Sequence, residues 1–182
     1  MKRFFLVILI ACVFPLIVSG KDSKSYLLPI NGEVKAKIVA LHNKYRAEVR
    51  VPPVRWSDDV QKSAEGWALH LAEDEGLHMI HASSNNPYGE NLSGGPGVWS
   101  TDRDAYTVLE WAVVSFGNEK SNYRGTSVNV DSNFYEYGHY TQIVWRTTAE
   151  IGCAVGKRKD IPGYIVVCRY NPAGNIVGQK PY

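Results

Sequence analysis

The stretch Gly138-His139-Tyr140-Thr141-Gln142-Ile143-Val144-Trp145 and the later run Ile165-Val166-Val167-Cys168-Arg169-Tyr170-Asn171-Pro172-Ala173-Gly174-Asn175 decide how this chain is read. Residues 138–145 fit both a short helix and a strand, and the helix is expected. Around the second run, Ile151–Val155 and Tyr164–Tyr170 read as two strands about a turn near Asp160-Ile161-Pro162-Gly163. A hairpin symmetric about position 160.5 sets Cys153 opposite Cys168, close enough to bridge if that register holds.

Helices precede these strands. Asn31 is a plausible N-cap, and Val34, Ile38, Leu41, Tyr45 and Val49 recur at helical spacing until Val51-Pro52-Pro53-Val54 ends the ladder. Ser57 opens a second helix with Asp58 and Asp59 in its first turn; its buried stripe is Val60, Ala64, Trp67, Ala68 and Leu71. Residues 77–100 read as loop, with a possible short strand at Glu90-Asn91-Leu92. Thr101 or Asp102 starts a third helix through Val113, and Gly117 weakens its far end. Residues 121–138 are irregular and aromatic. Helices before and after a few antiparallel strands imply an α+β domain with its sheet covered by helices.

The first twenty residues stand apart. Lys2 and Arg3 precede about 15 nearly apolar residues, short of the roughly 20 that cross a bilayer, and Val18-Ser19-Gly20 offers small residues for cleavage. Residues 1–20 are therefore expected to be a signal peptide, 21–32 an extended lead-in and 33–182 a single domain, without a transmembrane anchor. Leu9-Ile10-Ala11-Cys12 also has the look of a bacterial lipobox, which would anchor the chain through Cys12. The apolar run continues past it, however, and an extracellular product is preferred. Of 20 basic and 18 acidic residues the leader takes two basic ones, leaving a balanced charge and no concentrated basic footprint for nucleic acid. Cys153 and Cys168 remain as an even pair, which in an oxidising compartment implies one disulfide.

Five collinear motifs give the chain a family resemblance. They are Leu41-His42-Asn43-Lys44-Tyr45-Arg46, Tyr88-Gly89-Glu90-Asn91-Leu92, Glu119-Lys120-Ser121-Asn122-Tyr123, residues 138–145 and the ending Gly174–Tyr182. Together they resemble the CAP superfamily of cysteine-rich secretory proteins, antigen 5 and pathogenesis-related 1, and look nearest to the last. The resemblance implies a three-layer α-β-α sandwich with a small antiparallel sheet. It also implies a cleft of two His and two Glu: His139 and Glu119, Glu90, and a His ahead of Glu90. His81 fits that last place best, with His78 as competitor. The chain lacks the additional cysteines of many relatives. Phe116, three residues before Glu119, replaces a displaced tryptophan, which puts the geometry of Glu119 in question.

The chemistry of such a quartet is a divalent-metal site. His81 and His139 would ligate an ion such as Zn2+, and the carboxylates would orient the rings or hold a water. An unpaired carboxylate there would have a raised pKa suited to a general base. A satisfied His–Glu network that only stiffens loops is the competing reading. Three functions follow. The first is a secreted binding module for a sterol or other small lipid, with the aromatic loop Tyr123, Phe134, Tyr135 and Tyr137 as its contact surface. The second is a metal-assisted hydrolase using Glu90 or Glu119, and the third a protein-binding effector in defence or virulence. Trp56, Trp67, Trp111 and Trp145 are expected in the core, His42 in a packing role and His70 at a solvated edge. Asn171 and Asn175 should secure the turn around Pro172. Asn91-Leu92-Ser93 fits a glycan acceptor, and Lys157-Arg158-Lys159 a solvated hairpin tip.

Overall fold

Asn31 begins the first helix, its Oδ1 accepting from the Val34 N–H at 3.0 Å and so closing one donor that a helix start leaves open. In a computed structural model of the chain, which describes residues 23–99, 101–129 and 133–182, this helix (α1) runs Gly32–Glu48. Its deepest side chains are Ile38, His42 and Arg46; Val34, Leu41, Tyr45 and Val49 of the expected stripe are only partly buried. The buried face is rotated because two polar side chains on it find partners inside.

Ser57 caps the second helix (α2, Asp58–Glu73). Its buried face carries Ala72 but not Trp67, which is partly buried and donates its indole N–H to the Ile80 carbonyl. The third helix (α3, Ala105–Asn118) starts later than Thr101 or Asp102, because Asp104 is the residue that accepts from the Thr107 N–H and hydroxyl. Asp102 pairs with Lys157 instead. Gly117 does not end this helix: it lies against the Tyr45 ring, which a Cβ would overlap, and a 3-10 turn at Glu119–Ser121 follows. Residues Gly138–Ile143 form the short fourth helix (α4).

Among the described residues five strands make one sheet: β1 (Ser25–Leu27), β2 (Arg55–Trp56), β3 (Gly89–Pro96), β4 (Glu150–Arg158) and β5 (Gly163–Asn171). Their order is β1-β4-β5-β3, antiparallel throughout, with β2 running parallel beside β4. The lead-in thus supplies an edge strand, and the strand at Glu90 is eight residues long. Cys153 faces Cys168 in the β4–β5 hairpin and is bonded to it, with a Cα–Cα separation of 4.1 Å.

Side-chain alternation along this hairpin builds three layers. Ile151, Cys153 and Val155, with Tyr164, Val166, Cys168 and Tyr170, pack against α1, α3 and α4. Ala154, Ile165 and Val167 meet α2 on the other face. Gly152 and Gly156 lie on that second face, where a Cβ would run into the α2 backbone. The architecture is the three-layer α-β-α sandwich.

The expected signal peptide and Cys12 lie outside the described residues. Among those described, no helix is long and apolar enough to cross a membrane. Trp145 is a core residue, but Trp111 is 43% exposed, packed edge-on against Trp99. It sits on the solvent side of α3, where its indole covers a neighbour rather than the core. Of the basic run, Lys157 pairs with Asp102, Arg158 with Asp160, and Lys159 donates to the Ser23 carbonyl.

Arg46 has no solvent exposure, and its guanidinium donates to four carbonyls: Pro52 at 2.8 Å, Ile143 at 2.8 Å, Trp145 at 2.9 Å and Thr148 at 2.9 Å. Burial pushes its pKa down to about 10, so it stays charged at neutral pH. His42 lies one turn earlier, between the Ile38 carbonyl at 2.8 Å and the Tyr170 hydroxyl at 3.1 Å. A carbonyl can only accept, so Nδ1 carries the proton and Nε2 accepts from Tyr170. Burial is the main cause that brings the His42 pKa from 6.5 to about 4; the Ile38 bond opposes the fall and Arg46 adds to it.

Two outcomes are expected in chemical denaturation. Arg46→Met leaves four carbonyls short of a donor and should cost about 3 kcal/mol or more. For His42, the unfolded chain takes a proton near pH 6.5 and the native state only near 4. Unfolding therefore binds a proton in that window. Stability should be unaffected by His42 above pH 6.5 and decline by up to about 3 kcal/mol as pH falls toward 4. His42→Gln should flatten that part of the profile.

Candidate functional site

Two His–Glu pairs, built on different elements, face one cleft. Glu90 stands on β3, opposite Arg169 of β5. The preceding loop folds back so that His81 Nδ1 lies 2.9 Å from Glu90 Oε1, and the same oxygen accepts from the Ala82 N–H at 3.0 Å. The other oxygen, Oε2, accepts from Arg169 at 3.2 Å. Burial by itself would raise the Glu90 pKa. The hydrogen bonds from His81 and Ala82, with the Arg169 charge, more than offset it and hold the carboxyl below its ordinary value.

The second pair joins the 3-10 turn after α3 to α4. Glu119 Oε1 lies 2.6 Å from His139 Nδ1, while Oε2 accepts from the His139 N–H at 2.9 Å and the Tyr140 N–H at 3.3 Å. No side chain of α4's own N-cap residue closes that helix start, so Glu119 does so from another element. Phe116 lies 4.6 Å from the His139 ring, centroid to centroid. The displaced tryptophan therefore leaves an aromatic neighbour in place, and Glu119 keeps its contact with the histidine.

The cleft has a volume of about 380 Å³ and is lined by His81, Glu90, Phe134, Tyr135, His139 and Gln142, among others. Glu119 stands behind His139 and is not part of the wall. Each imidazole has its Nδ1 engaged by a carboxylate acceptor; in the neutral ring this puts the proton on Nδ1 and leaves Nε2 free to accept or ligate. The donor set therefore suits a cation that takes two imidazole nitrogens. Among the described residues no three or more His, Cys, Asp or Glu side chains gather to hold an ion, so the remaining ligands would be solvent or a bound molecule. Neither carboxylate is unpaired. The raised pKa that an unpaired one would have is absent at Glu90, which lies on the low side instead.

The aromatic loop divides. Phe134 and Tyr135 line the cleft, Tyr135 being 83% exposed. Tyr137 is buried, and Tyr123 packs on Tyr137, Tyr140 and Tyr182. His78 is exposed and does not line the cleft, and His70 bonds Asp74 at 2.8 Å on the surface. Asn91 is 1% exposed, its amide donating to the His139 carbonyl and the Tyr170 hydroxyl, which leaves no room there for a glycan. Asn175 reaches away from its own turn: it donates to the Gly138 carbonyl at 2.8 Å and accepts from the Thr141 hydroxyl at 2.7 Å, gripping α4. Asn171 bonds Glu150 across the hairpin. Arg169 and Gln142 were not among the expected site residues. Arg169 had one visible signal, a charge inside an otherwise apolar strand. Gln142 had none: its amide reaches the Gly174 N–H at 3.0 Å from a distant part of the chain.

Residues 39–170 match the model described as the Cysteine-rich secretory protein family. Pathogenesis-related protein 1C of Nicotiana tabacum is 40% identical over 141 residues, covering 78% of this chain and 76% of that protein. Pathogenesis-related protein 1 of Arabidopsis thaliana is 35% identical over 179 residues, covering 97% and 94%. Among solved structures, NaASP2 with Zn2+ superposes with a TM-score of 0.68 at 24% identity, covering 84% of this chain and 86% of that one. BmVAL-1 superposes at 0.64 and 20% identity, with coverage of 84% and 82%. At these identities the structures speak for the fold.

Glu119→Gln keeps the shape of the side chain but weakens its hold on the start of α4. It should lower stability by about 1 kcal/mol and shift the His139 ring toward its other tautomer, as read from imidazole 15N shifts. An unchanged His139 spectrum would contradict the orienting role.

Proposed function

The chain belongs to the cysteine-rich secretory protein family, and from that premise we propose that it is a secreted binding protein of the pathogenesis-related 1 type. Its cleft takes a divalent cation on His81 and His139, and a sterol or similar small lipid against Phe134 and Tyr135. The observation that carries this reading is the pairing of both cleft imidazoles with carboxylates through Nδ1, which orients each ring and leaves its Nε2 for a cation. When bound, the cation would supply a Lewis acid to the cleft. Zn2+ is the natural probe, since a protein of the same fold has been solved with it.

A volume of about 380 Å³ falls within the range of small-molecule sites, roughly 300–1,000 Å³. The exposed Tyr135 ring and its neighbour Phe134 give one wall an apolar surface. Binding is favoured over turnover because hydrolysis would need Glu90 or Glu119 to take a proton from water. The oxygens of both are already held by N–H groups. The apolar leader and the Cys153–Cys168 disulfide agree with an oxidising, extracellular setting.

Zinc titration by calorimetry should give a saturable site whose affinity drops more than about a hundredfold in His81→Ala plus His139→Ala. A titration unchanged by that pair sinks the cation reading. Cholesterol binding should survive His139→Ala and disappear in Phe134→Ala plus Tyr135→Ala. The reverse pattern would remove the aromatic wall from the proposal.

A further inference from the structure

Strand β5 turns Ile165 and Val167 into the apolar layer beneath α2, and Arg169 follows them on the same face. An aliphatic residue would fill this third place without polar demands. Instead a guanidinium lies there with its side chain only 8% exposed, and its Nε has no acceptor among the described residues. Nη1 donates to Ser63 Oγ of α2, and Nη2 donates to Glu90 Oε2 at 3.2 Å. The Tyr88 ring stands 6.0 Å from the guanidinium carbon. A buried cation with one donor unmatched is a weak source of stability, so the reason for its place lies in what it holds.

It holds Glu90. With Oε2 drawn to the sheet by Arg169, Oε1 is left to face the Ala82 N–H and His81 Nδ1. We infer that Arg169 is a positioning residue of the cleft: by bridging Ser63 and Glu90 it fixes the carboxylate that sets the orientation and tautomer of the His81 ring. The connection runs from α2 through β5 and β3 to the loop that carries His81. Only a two-armed donor makes it, because an ammonium cannot reach Ser63 and Glu90 with the same planar fork. The expected effect on zinc rests on the cation reading proposed above; the effect on the His81 ring does not.

The test uses Arg169→Lys, which keeps the charge, and Arg169→Met, which removes it. In the metal-free protein, imidazole 15N shifts should report His81 as the Nδ1–H tautomer. Both variants should move it toward the Nε2–H form, with His139 unchanged as the internal control. Zinc affinity should fall about tenfold in Arg169→Lys, and the same substitution made on top of His81→Ala should cause no further loss. If His81 keeps its tautomer in both variants, or if the two substitutions weaken zinc additively, Arg169 is a structural residue and the inference is overturned. Should the unaltered protein take no zinc, the cation reading fails, while the metal-free spectra still decide the role of Arg169.

Discussion

Four carbonyl groups converge between the end of α1 and the turns beside it, and the guanidinium of Arg46 joins them. Two belong to Ile143 and Trp145, at the end of the helix that carries His139; the others, Pro52 and Thr148, lie on the chain leading into β2 and β4. A planar group with five donors is the side chain able to tie so many segments at once. Its partners are dipoles rather than carboxylates; burial lowers its pKa to about 10, and it remains charged at neutral pH. That clamp ties the end of α4 to the core, while Glu119 and Asn175 hold its start, and together they set the cleft wall that α4 supplies.

A chain of hydrogen bonds carries the same order from the core to the site. The Ile38 carbonyl accepts from His42, His42 accepts from Tyr170, Tyr170 accepts from Asn91, and Asn91 also donates to the His139 carbonyl. Each group in it has a defined direction, which fixes the tautomer of His42, a ring that burial keeps neutral, and explains why Asn91 is buried within an apparent glycan acceptor. Both cleft histidines are then held through Nδ1 by carboxylates rooted in separate elements, one on the sheet edge and one after α3. The arrangement is rigid because every oriented ring has a partner that is itself oriented.

Much of the fold was legible. Asn31 and Ser57 are helix starts because a short polar side chain can reach back to an orphan N–H, a local matter that sequence records. The β4–β5 register followed from the symmetry of two apolar runs about their turn, and the Cys153–Cys168 bond came with it. Misreadings arose where a residue answers to a distant partner. Asp102 looked like a cap but pairs with Lys157, and Trp111 looked like core but lies on the outer side of α3. Asn175 looked like a turn residue but grips α4. His42 was expected only in a packing role and Arg46 in none, yet they are the most buried polar groups of α1.

The sequence by itself determined the family, the order of the helices and the register of the β4–β5 hairpin, since each rests on local pattern or on collinear motifs. Only the tertiary structure decided which nitrogen of each histidine is engaged, that Glu119 stands behind His139 rather than on the wall, and that Phe134 and Tyr135 face the cleft while Tyr137 is buried. It alone brought Arg169 to Glu90, a contact across 79 residues of chain. Such contacts arise where separate elements are packed together, and a one-dimensional pattern holds no distance between residues that meet only when the layers close.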